Sequence, residues 1–462
     1  MKLMVIGAGP GGYVAAIRAA QLGARVTVIE EREVGGTCLN LGCIPTKAMV
    51  ASSEVLHMIR RADEYGLVIN GDIRPDLKKI MERKDKIVST QVKGIRSLFK
   101  SRDIQLIEGR AELLDPKKVR VRKKDGTEET LEADSIIIAT GSRPASIPAF
   151  PADGVNILSS DDVWRLTEIP KSMVIIGAGV IGCEFACIFR ELGTDITMVE
   201  LLPRALSTED EDISDIMEKE LKKKKIKLLT SVKVESVTKS SSGVILKLSD
   251  GKELSAEKVL VSIGRSFNSE GLGLEKIGIE KGPRGEIKVN ERMETSVKGI
   301  YAIGDVTGGI LLAHVASKEG IVASTNACGG NEGIDYSVVP AAIFTSPEIA
   351  SVGLREFQAK EAGIPIVTGS FQYRALGKAH AMGEITGLFK IVADAKTDRV
   401  LGVHIIGAHA SDIIHEAALA IKAGLRVKDI AEMIHSHPTL SEGLMEAAED
   451  VHNRAIHLPP KK

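Results

Sequence analysis

Cys38 and Cys43 stand five positions apart in GGTCLNLGCIPTK, residues 35–47. Two thiols so spaced can be packed separately, can supply half a metal site, or can form a two-electron dithiol–disulfide couple. A regular helix across them would hold their Cα atoms roughly 8–9 Å apart, and an extended chain about 17 Å apart. A disulfide needs about 4.4–6.8 Å, so a couple requires a sharp bend between the two residues. Asn40 and Gly42 are types that accept left-handed dihedrals, and Pro45 suits the start of a helix over TKAMVASSEVLHMIRRA. Cys43 then falls near a helix N-terminus, where the dipole favours a thiolate. A zinc site lacks a second Cys/His pair at suitable spacing, so no metal is expected. Cys183 and Cys187, four apart, read as packing of a helix on a sheet, and Cys328 carries no signal.

Towards the other end, HSHPTLSEGLMEAA (435–448) holds His435, His437 and Glu442. Histidine is the side chain suited to move a thiol proton near neutral pH, and a carboxylate can orient it and raise its basicity. Taken alone, a histidine before proline equally fits a surface turn. Lys47 lies four residues after Cys43, on the same face of the expected helix. Glu184 taken alone reads as an acidic residue in a helix's first turn.

The elements that must position these groups include an internal repeat. VIGAGPGGYVAAIRAAQLGARVTVIE (5–30) and IIGAGVIGCEFACIFRELGTDITMVE (175–200) align without a gap. Gly7, Gly9 and Gly12 fall on Gly177, Gly179 and Gly182, and Glu30 falls on Glu200. Each copy reads as buried strand, glycine turn, helix and second strand ending in an acid, the βαβ unit that binds a dinucleotide. The first glycine makes the turn, the second admits the pyrophosphate, and the third lets helix and strand pack closely. The helix N-terminus faces the phosphates, and the acid accepts from ribose hydroxyls. Glu200 favours NAD over NADP, since a carboxylate repels a 2′-phosphate, although Arg204 four residues on could soften that preference.

Further strands are expected at ADSIIIATGSRP (133–144), AEKVLVSIGRSFN (256–268) and GIYAIGDV (299–306). From about residue 337 the pattern turns to alternating strands (GLFKIVAD, VLGVHIIG) and helices (ASDIIHEAALAIKAG), an α+β domain. The chain has 462 residues, 44% of them hydrophobic and 27% charged, with a net charge of −1, so no global charge draws it to nucleic acid or an anionic membrane. The basic runs KKVRVRKK (117–124) and KKKKIK (222–227) read as solvated faces or helix ends. No apolar run approaches the roughly 20 residues of a membrane span, and Met1 leads straight into a strand-like KLMVIG. Five cysteines do not make a secreted disulfide framework, so a cytoplasmic setting is expected.

In order along the chain, GGTCLNLGCIPTK, ATGSRP, GAGVIGCEF, GIYAIGDV, LLAHVASKEG, AAIFTSPEIASVG and HSHPTLSE resemble the pyridine nucleotide–disulfide oxidoreductases. The resemblance implies an α/β fold of two Rossmann-like domains plus a C-terminal dimerisation domain. Its implied division is an FAD-binding domain with the redox disulfide (1–144), an NAD-binding domain (145–268), a central segment completing the FAD site (269–336) and an interface domain (337–462).

FAD is implied in the first βαβ unit, at Gly7, Gly9, Gly12 and Glu30, together with Gly36, Thr37 and Lys47 of the redox segment. Ala111, Thr140, Gly141 and Ser142 are implied as further FAD contacts, with Asp305 on its hydroxyls and Leu311, Leu312, Ala313 and His314 beside it. NAD is implied at Gly177, Gly179, Val180, Ile181, Gly182, Glu184 and Glu200, with Val234 and Gly264. By the same resemblance Cys38–Cys43 is the redox disulfide, with Cys38 the more accessible sulfur. Lys47 pairs with Glu184 at the flavin, and His437 with its partner Glu442 is the base that serves the other subunit of a homodimer.

The implied activity is oxidation of a dihydrolipoyl group on a protein of a 2-oxo acid dehydrogenase complex or glycine cleavage system, with NAD⁺ as acceptor. The alternative is another NAD(P)H-dependent disulfide reductase. Against the glutathione type stands Glu200. Against types with a C-terminal cysteine pair stands the absence of any cysteine after Cys328. Val315 and Phe267 depart from the common lysine and proline.

Overall fold

The protein is described here by a computed structural model covering residues 1–241 and 243–459. It divides into two compact units. The first comprises Met1–Ile147, Ser159–Glu168 and Ile263–Asp335, and the second comprises Pro148–Leu158, Ile169–Ser262 and the chain from Tyr336 onward.

In the first unit, the apolar run that begins the chain forms the strand Lys2–Ile6, buried from Leu3 onward as a strand covered on both faces must be. It pairs in parallel with Arg25–Glu30 on one side and Ser135–Ile138 on the other. Ile300–Ala302 extends the sheet beyond Ser135–Ile138, and Gln105–Asp115 extends it beyond Arg25–Glu30. From there the sheet turns antiparallel through Lys118–Lys123 and Glu128–Glu132. The basic run lies on this meander as a charged face, with Arg122 to Glu128 at 2.7 Å and Lys123 to Glu129 at 3.1 Å.

The helix Pro10–Gln21 packs directly on the helix Ala313–Ala327, because a side chain at Gly320 would lie 2.5 Å from the Gly11 carbonyl. Ser317 meets Pro10, and Gly320 meets Ala15, so the two helices run parallel with their N-termini at one end.

In the second unit, Ser172–Ile176 lies between the parallel strands Asp195–Val199 and Lys258–Val261, with Lys227–Leu229 outside Asp195–Val199. The helix Val180–Leu192 follows the glycine turn, as the repeat requires. The lysine run 222–227 closes the helix Glu211–Lys223, where positive charge meets the negative end of the dipole.

The expected α+β region is a five-stranded antiparallel sheet in the order Ala341–Ile343, Ile349–Gly353, Val400–Ile406, Leu388–Asp394, Ile366–Gln372. The helices Ala410–Ala423 and Glu442–Val451 pack on its core of Phe371, Tyr373, Phe389, Ile391, Val403 and Leu444. Tyr373 and Phe389 stack with centroids 4.7 Å apart.

One buried charge in this unit had no sequence signature. Lys390, with 4% of its side chain exposed, donates from Nζ to Asp210 (2.8 Å), Asp212 (2.6 Å) and Glu356 (2.5 Å). Among the described residues no helix is long and apolar enough to cross a membrane.

Candidate active site

The two cysteines lie on two helices that meet at a break. Cys38 is inside the short helix Gly36–Asn40, and Cys43 is the first residue of the helix Cys43–Arg60, two residues earlier than Pro45 led us to expect. The bend is not made by left-handed Asn40 and Gly42. The positive φ values fall at Gly35 (95°) and Gly36 (58°), whereas Gly42 has φ −125°. The reason is packing. A side chain at Gly36 would lie 2.7 Å from the Gly9 α-carbon of the first glycine turn, and one at Gly42 would lie 3.0 Å from the Thr37 carbonyl. Asn40 stays helical and donates its amide to the carbonyls of Val34 (3.0 Å) and Gly36 (2.9 Å), which fixes the entry to the turn.

Both cysteines are thiols, and Cys38 hydrogen-bonds to Cys43. That bond, then burial, pushes the Cys38 thiol far above its ordinary range. The N-terminus of the helix that begins at Cys43 is where the dipole favours a thiolate. In the single chain Cys43 is exposed and Cys38 half-buried, because Cys43 opens its helix while Cys38 is enclosed in the packed turn.

His437 and Glu442 lie in the second unit, as does Glu184, whereas the cysteines and Lys47 lie in the first. His437 Nδ1 is 2.8 Å from Glu442 Oε1, and the Thr439 amide donates to Glu442 Oε2 at 2.8 Å. Burial alone would raise the Glu442 carboxyl, but the Thr439 amide and His437 outweigh it and hold the group below its usual range. Glu442 is thus a carboxylate, Nδ1 carries the imidazole proton, and Nε2 is left as the acceptor. The helix bearing Glu442 is seated by Gly443, where a side chain would lie 2.2 Å from the Phe389 ring. The His437 side chain is 75% exposed and projects from this scaffold. His435 is instead inside, bonded to Glu416 at 3.0 Å and to the Met433 carbonyl, and the Glu416 contact raises its basicity. Glu184 is buried and accepts from the Phe344 amide at 2.9 Å.

The repeat is reproduced in atomic detail. A side chain at Gly12 would meet the Gly7 carbonyl at 2.0 Å, and one at Gly182 would meet the Gly177 carbonyl at 2.0 Å. Glu30 accepts from Ala8 and Arg32 amides, each at 2.7 Å, and Glu200 accepts from Ala178 (2.6 Å) and Leu202 (2.8 Å). Each acid therefore ties its glycine turn to the chain after the second strand. Burial raises the Glu30 carboxyl despite those two amides. The helices that follow Gly9 and Gly179 have no side-chain cap, so their first amides are available to phosphate.

Leu311, Leu312, Ala313 and His314 form the N-terminus of the helix parallel to Pro10–Gln21, which doubles that cradle in the first unit. Ser142 donates to Asp305, and Arg265 donates to the Ser142 hydroxyl (2.6 Å) and carbonyl (3.0 Å). Thr140 and Asn268 are joined by two hydrogen bonds, of 2.7 and 2.9 Å, beside Gly141. Ala111 is buried in its strand, Val234 begins a strand, and Gly264 turns the chain with φ 112°. Arg204 is turned to the carbonyls of Ser207 (3.1 Å) and Glu209 (3.2 Å). The two departures pack inside: Val315 is buried, and Phe267 is buried under the Arg284 guanidinium. Arg265, Asn268 and Arg284 escaped sequence reading because their partners lie far away in the chain.

The pyridine nucleotide-disulphide oxidoreductase family model matches residues 1–320, and that family's dimerisation-domain model matches residues 339–448. The chain belongs to the pyridine nucleotide-disulphide oxidoreductases. Dihydrolipoyl dehydrogenase of Thermus scotoductus is 44% identical over 462 residues, covering 99% of this chain and 98% of that protein. Dihydrolipoyl dehydrogenase of Bacillus subtilis is 44% identical over 469 residues, covering 98% of each, and the mitochondrial one of Pisum sativum is 41% identical over 462 residues, covering 99% and 92%. The crystal structure of LpdA from Mycobacterium tuberculosis superposes with a TM-score of 0.91 at 30% identity, covering 97% of this chain and 99% of that one. The HOCl-induced flavoprotein disulfide reductase RclA from Escherichia coli gives 0.87 at 27% identity, covering 97% and 99%. The expected fold class, with two dinucleotide-binding βαβ units and a dimerisation domain, is that of this family, whose cofactors FAD and NAD suit the two cradles.

Proposed function

We propose that the chain oxidises a protein-bound dihydrolipoyl group to its disulfide and reduces NAD⁺ to NADH, working as a homodimer. The observation that carries this reading is the hydrogen-bonded Cys38–Cys43 dithiol at a helix N-terminus, packed on the first glycine turn, in a chain that also holds a second glycine turn and an exposed His437–Glu442 dyad. The relatives of 41–44% identity carry the same activity in their names.

In the oxidised state of the couple, His437 Nε2 takes a proton from the substrate dithiol, and Glu442 steadies the imidazolium through Nδ1. The substrate thiolate forms a bond to the Cys38 sulfur while the Cys38–Cys43 bond breaks, leaving the electron pair on Cys43. The second substrate thiol then displaces Cys38, closing the lipoyl ring. Cys38 leaves as a thiolate and takes up the proton of that second thiol.

FAD, when bound, would supply the two-electron relay between the dithiol, which returns to the disulfide, and NAD⁺. Gly7, Gly9, Gly12, Glu30 and the Ser142–Asp305–Arg265 cluster would hold it in the first unit. Gly177, Gly179, Gly182 and Glu200 would hold NAD in the second. His437 would serve the cysteines of the partner subunit, and the lipoyl arm would come from a separate protein in the cytoplasm.

The test is an anaerobic visible spectrum of the purified protein, first with dihydrolipoamide and then with NAD⁺. Long-wavelength absorption from a thiolate against the flavin, discharged as NADH appears, is the expected result. Flavin that stays oxidised with dihydrolipoamide but is reduced by NADH or NADPH would refute the lipoyl reading and point to another disulfide substrate.

A further inference from the structure

Trp164 is the single tryptophan of the chain. It lies in the turn Asp162–Arg165, within a short segment, Ser159–Glu168, that belongs to the first unit although its chain neighbours on both sides belong to the second. Its indole Nε1 donates to the Leu41 carbonyl at 2.8 Å. Leu41 ends the helix that carries Cys38, with φ −133° and ψ −2°, and Gly42 precedes the helix that begins at Cys43. A carbonyl at a helix end has no intrahelical donor and needs one from elsewhere. The indole supplies it at the break between the two sulfurs.

The ring itself is held. Lys84, with 7% of its side chain exposed, places Nζ 5.7 Å from the ring centroid and pairs with Asp85. On the same helix, Leu77–Lys100, Arg83 donates to the Ala48 carbonyl at 3.0 Å, tying this helix to the one that carries Cys43.

We propose that Trp164 is a positioning residue for the redox couple, its indole N–H holding the Leu41 carbonyl so that the Cys38 and Cys43 sulfurs stay within bonding reach. This rests on the reading of Cys38–Cys43 as a working couple. Without the donor, the peptide between the helices gains freedom, and one sulfur becomes less concentrated at the other. The disulfide is then weakened relative to the dithiol, and the couple becomes more oxidising.

The test is an exchange equilibrium of the holoenzyme with oxidised and reduced dithiothreitol, quantified by alkylation of the free thiols. In that exchange the protein dithiol and the dithiothreitol disulfide become the protein disulfide and the dithiothreitol dithiol. One S–S bond forms, one breaks, and two electrons and two protons move. Trp164→Phe keeps the ring and removes the donor. Its equilibrium constant for protein disulfide formation should fall more than twofold, up to about fivefold if the hydrogen bond counts in full only for the closed couple. A constant within twofold of wild type overturns the proposal while leaving the function reading intact. A wild-type couple that never forms a disulfide overturns both.

A second measurement does not depend on the variant folding. With ¹⁵N-tryptophan, the wild-type holoenzyme gives one indole resonance, which should shift when the couple is oxidised. An indole resonance that stays put, in a protein whose thiols have been shown to close, overturns the proposal.

Discussion

Replacing Glu200 by glutamine tests whether its charge chooses the coenzyme. Glu200 is half-buried, accepts from the Ala178 and Leu202 amides, and stands where the second βαβ unit presents an acid to the adenosine ribose. A 2′-phosphate of charge about −1.5 to −2, about 5 Å away at an effective dielectric of about 40, is repelled by about 3 kcal/mol, near 100-fold. The glutamine keeps one acceptor oxygen and turns an amide towards one of the two backbone N–H groups. One hydrogen bond is lost, and NAD⁺ use falls about fivefold. The NADP⁺/NAD⁺ ratio of kcat/KM for dihydrolipoamide oxidation should therefore rise between about tenfold and 100-fold. Arg204→Gln should leave that ratio alone, because Arg204 is spent on the Ser207 and Glu209 carbonyls. An unchanged ratio in Glu200→Gln, with NAD⁺ use reduced, would mean that the acid only braces the glycine turn.

Cys43→Ser should retain FAD and lose lipoamide-dependent NADH formation, and measurable turnover would remove Cys43 from the reaction. His437→Gln should reduce dithiol oxidation by about 10²-fold or more while sparing NADH oxidation by artificial acceptors, since those need no thiol proton moved. Equal loss in both assays would assign the histidine a structural role. Lys390→Met should destabilise the protein by about 3–5 kcal/mol, because it leaves the buried Asp210 carboxylate beside Asp212 and Glu356 without a cation. In the wild type, burial opposes the Asp210 charge, but Lys390 and the Glu356 amide outweigh it and lower the carboxyl. The stabilisation from a lowered carboxyl is present above the unfolded range, about pH 4, and is lost as pH falls. In the variant the carboxyl is raised instead, so the deficit in thermal midpoint should be largest near pH 8 and shrink towards pH 4. A deficit independent of pH would mean that packing, not charge, had been lost.

What could be read from the sequence was local. Glycines at fixed spacing before an apolar helix, and an acid at the end of the second strand, imply their contacts because the chain brings them together within 26 residues. Cys38 and Cys43 were legible as a possible couple for the same reason, whereas the pairing of His437 with Glu442 came from the resemblance to the family. The mechanism of the bend was misread, because Gly36 must be glycine for the sake of Gly9, twenty-seven positions earlier. Arg265 on Ser142, Trp164 on Leu41 and Lys390 on Asp210 span more than 120 positions each. No spacing rule in a single chain records such contacts. They are set by which strands lie side by side, and that order appears only in the folded sheet.

The two copies of the repeat differ in one respect that bears on how each nucleotide is used. In the first copy the redox segment leans on the glycine turn: a side chain on Gly36 would collide with Gly9, and the Gly35 amide donates to the Ala8 carbonyl at 2.8 Å. The segment that carries the cysteines thus braces the turn that would hold the dinucleotide. In the second copy, among the described residues, nothing beyond its own chain neighbours and helix backbone lies within 4 Å of a side chain built on Gly179, whereas one on Gly9 would lie 3.9 Å from the Gly36 α-carbon. The first glycine turn is thus packed against the redox segment. Covering slows dissociation by adding contacts that must break together. The first site suits a resident cofactor that exchanges electrons with a fixed dithiol.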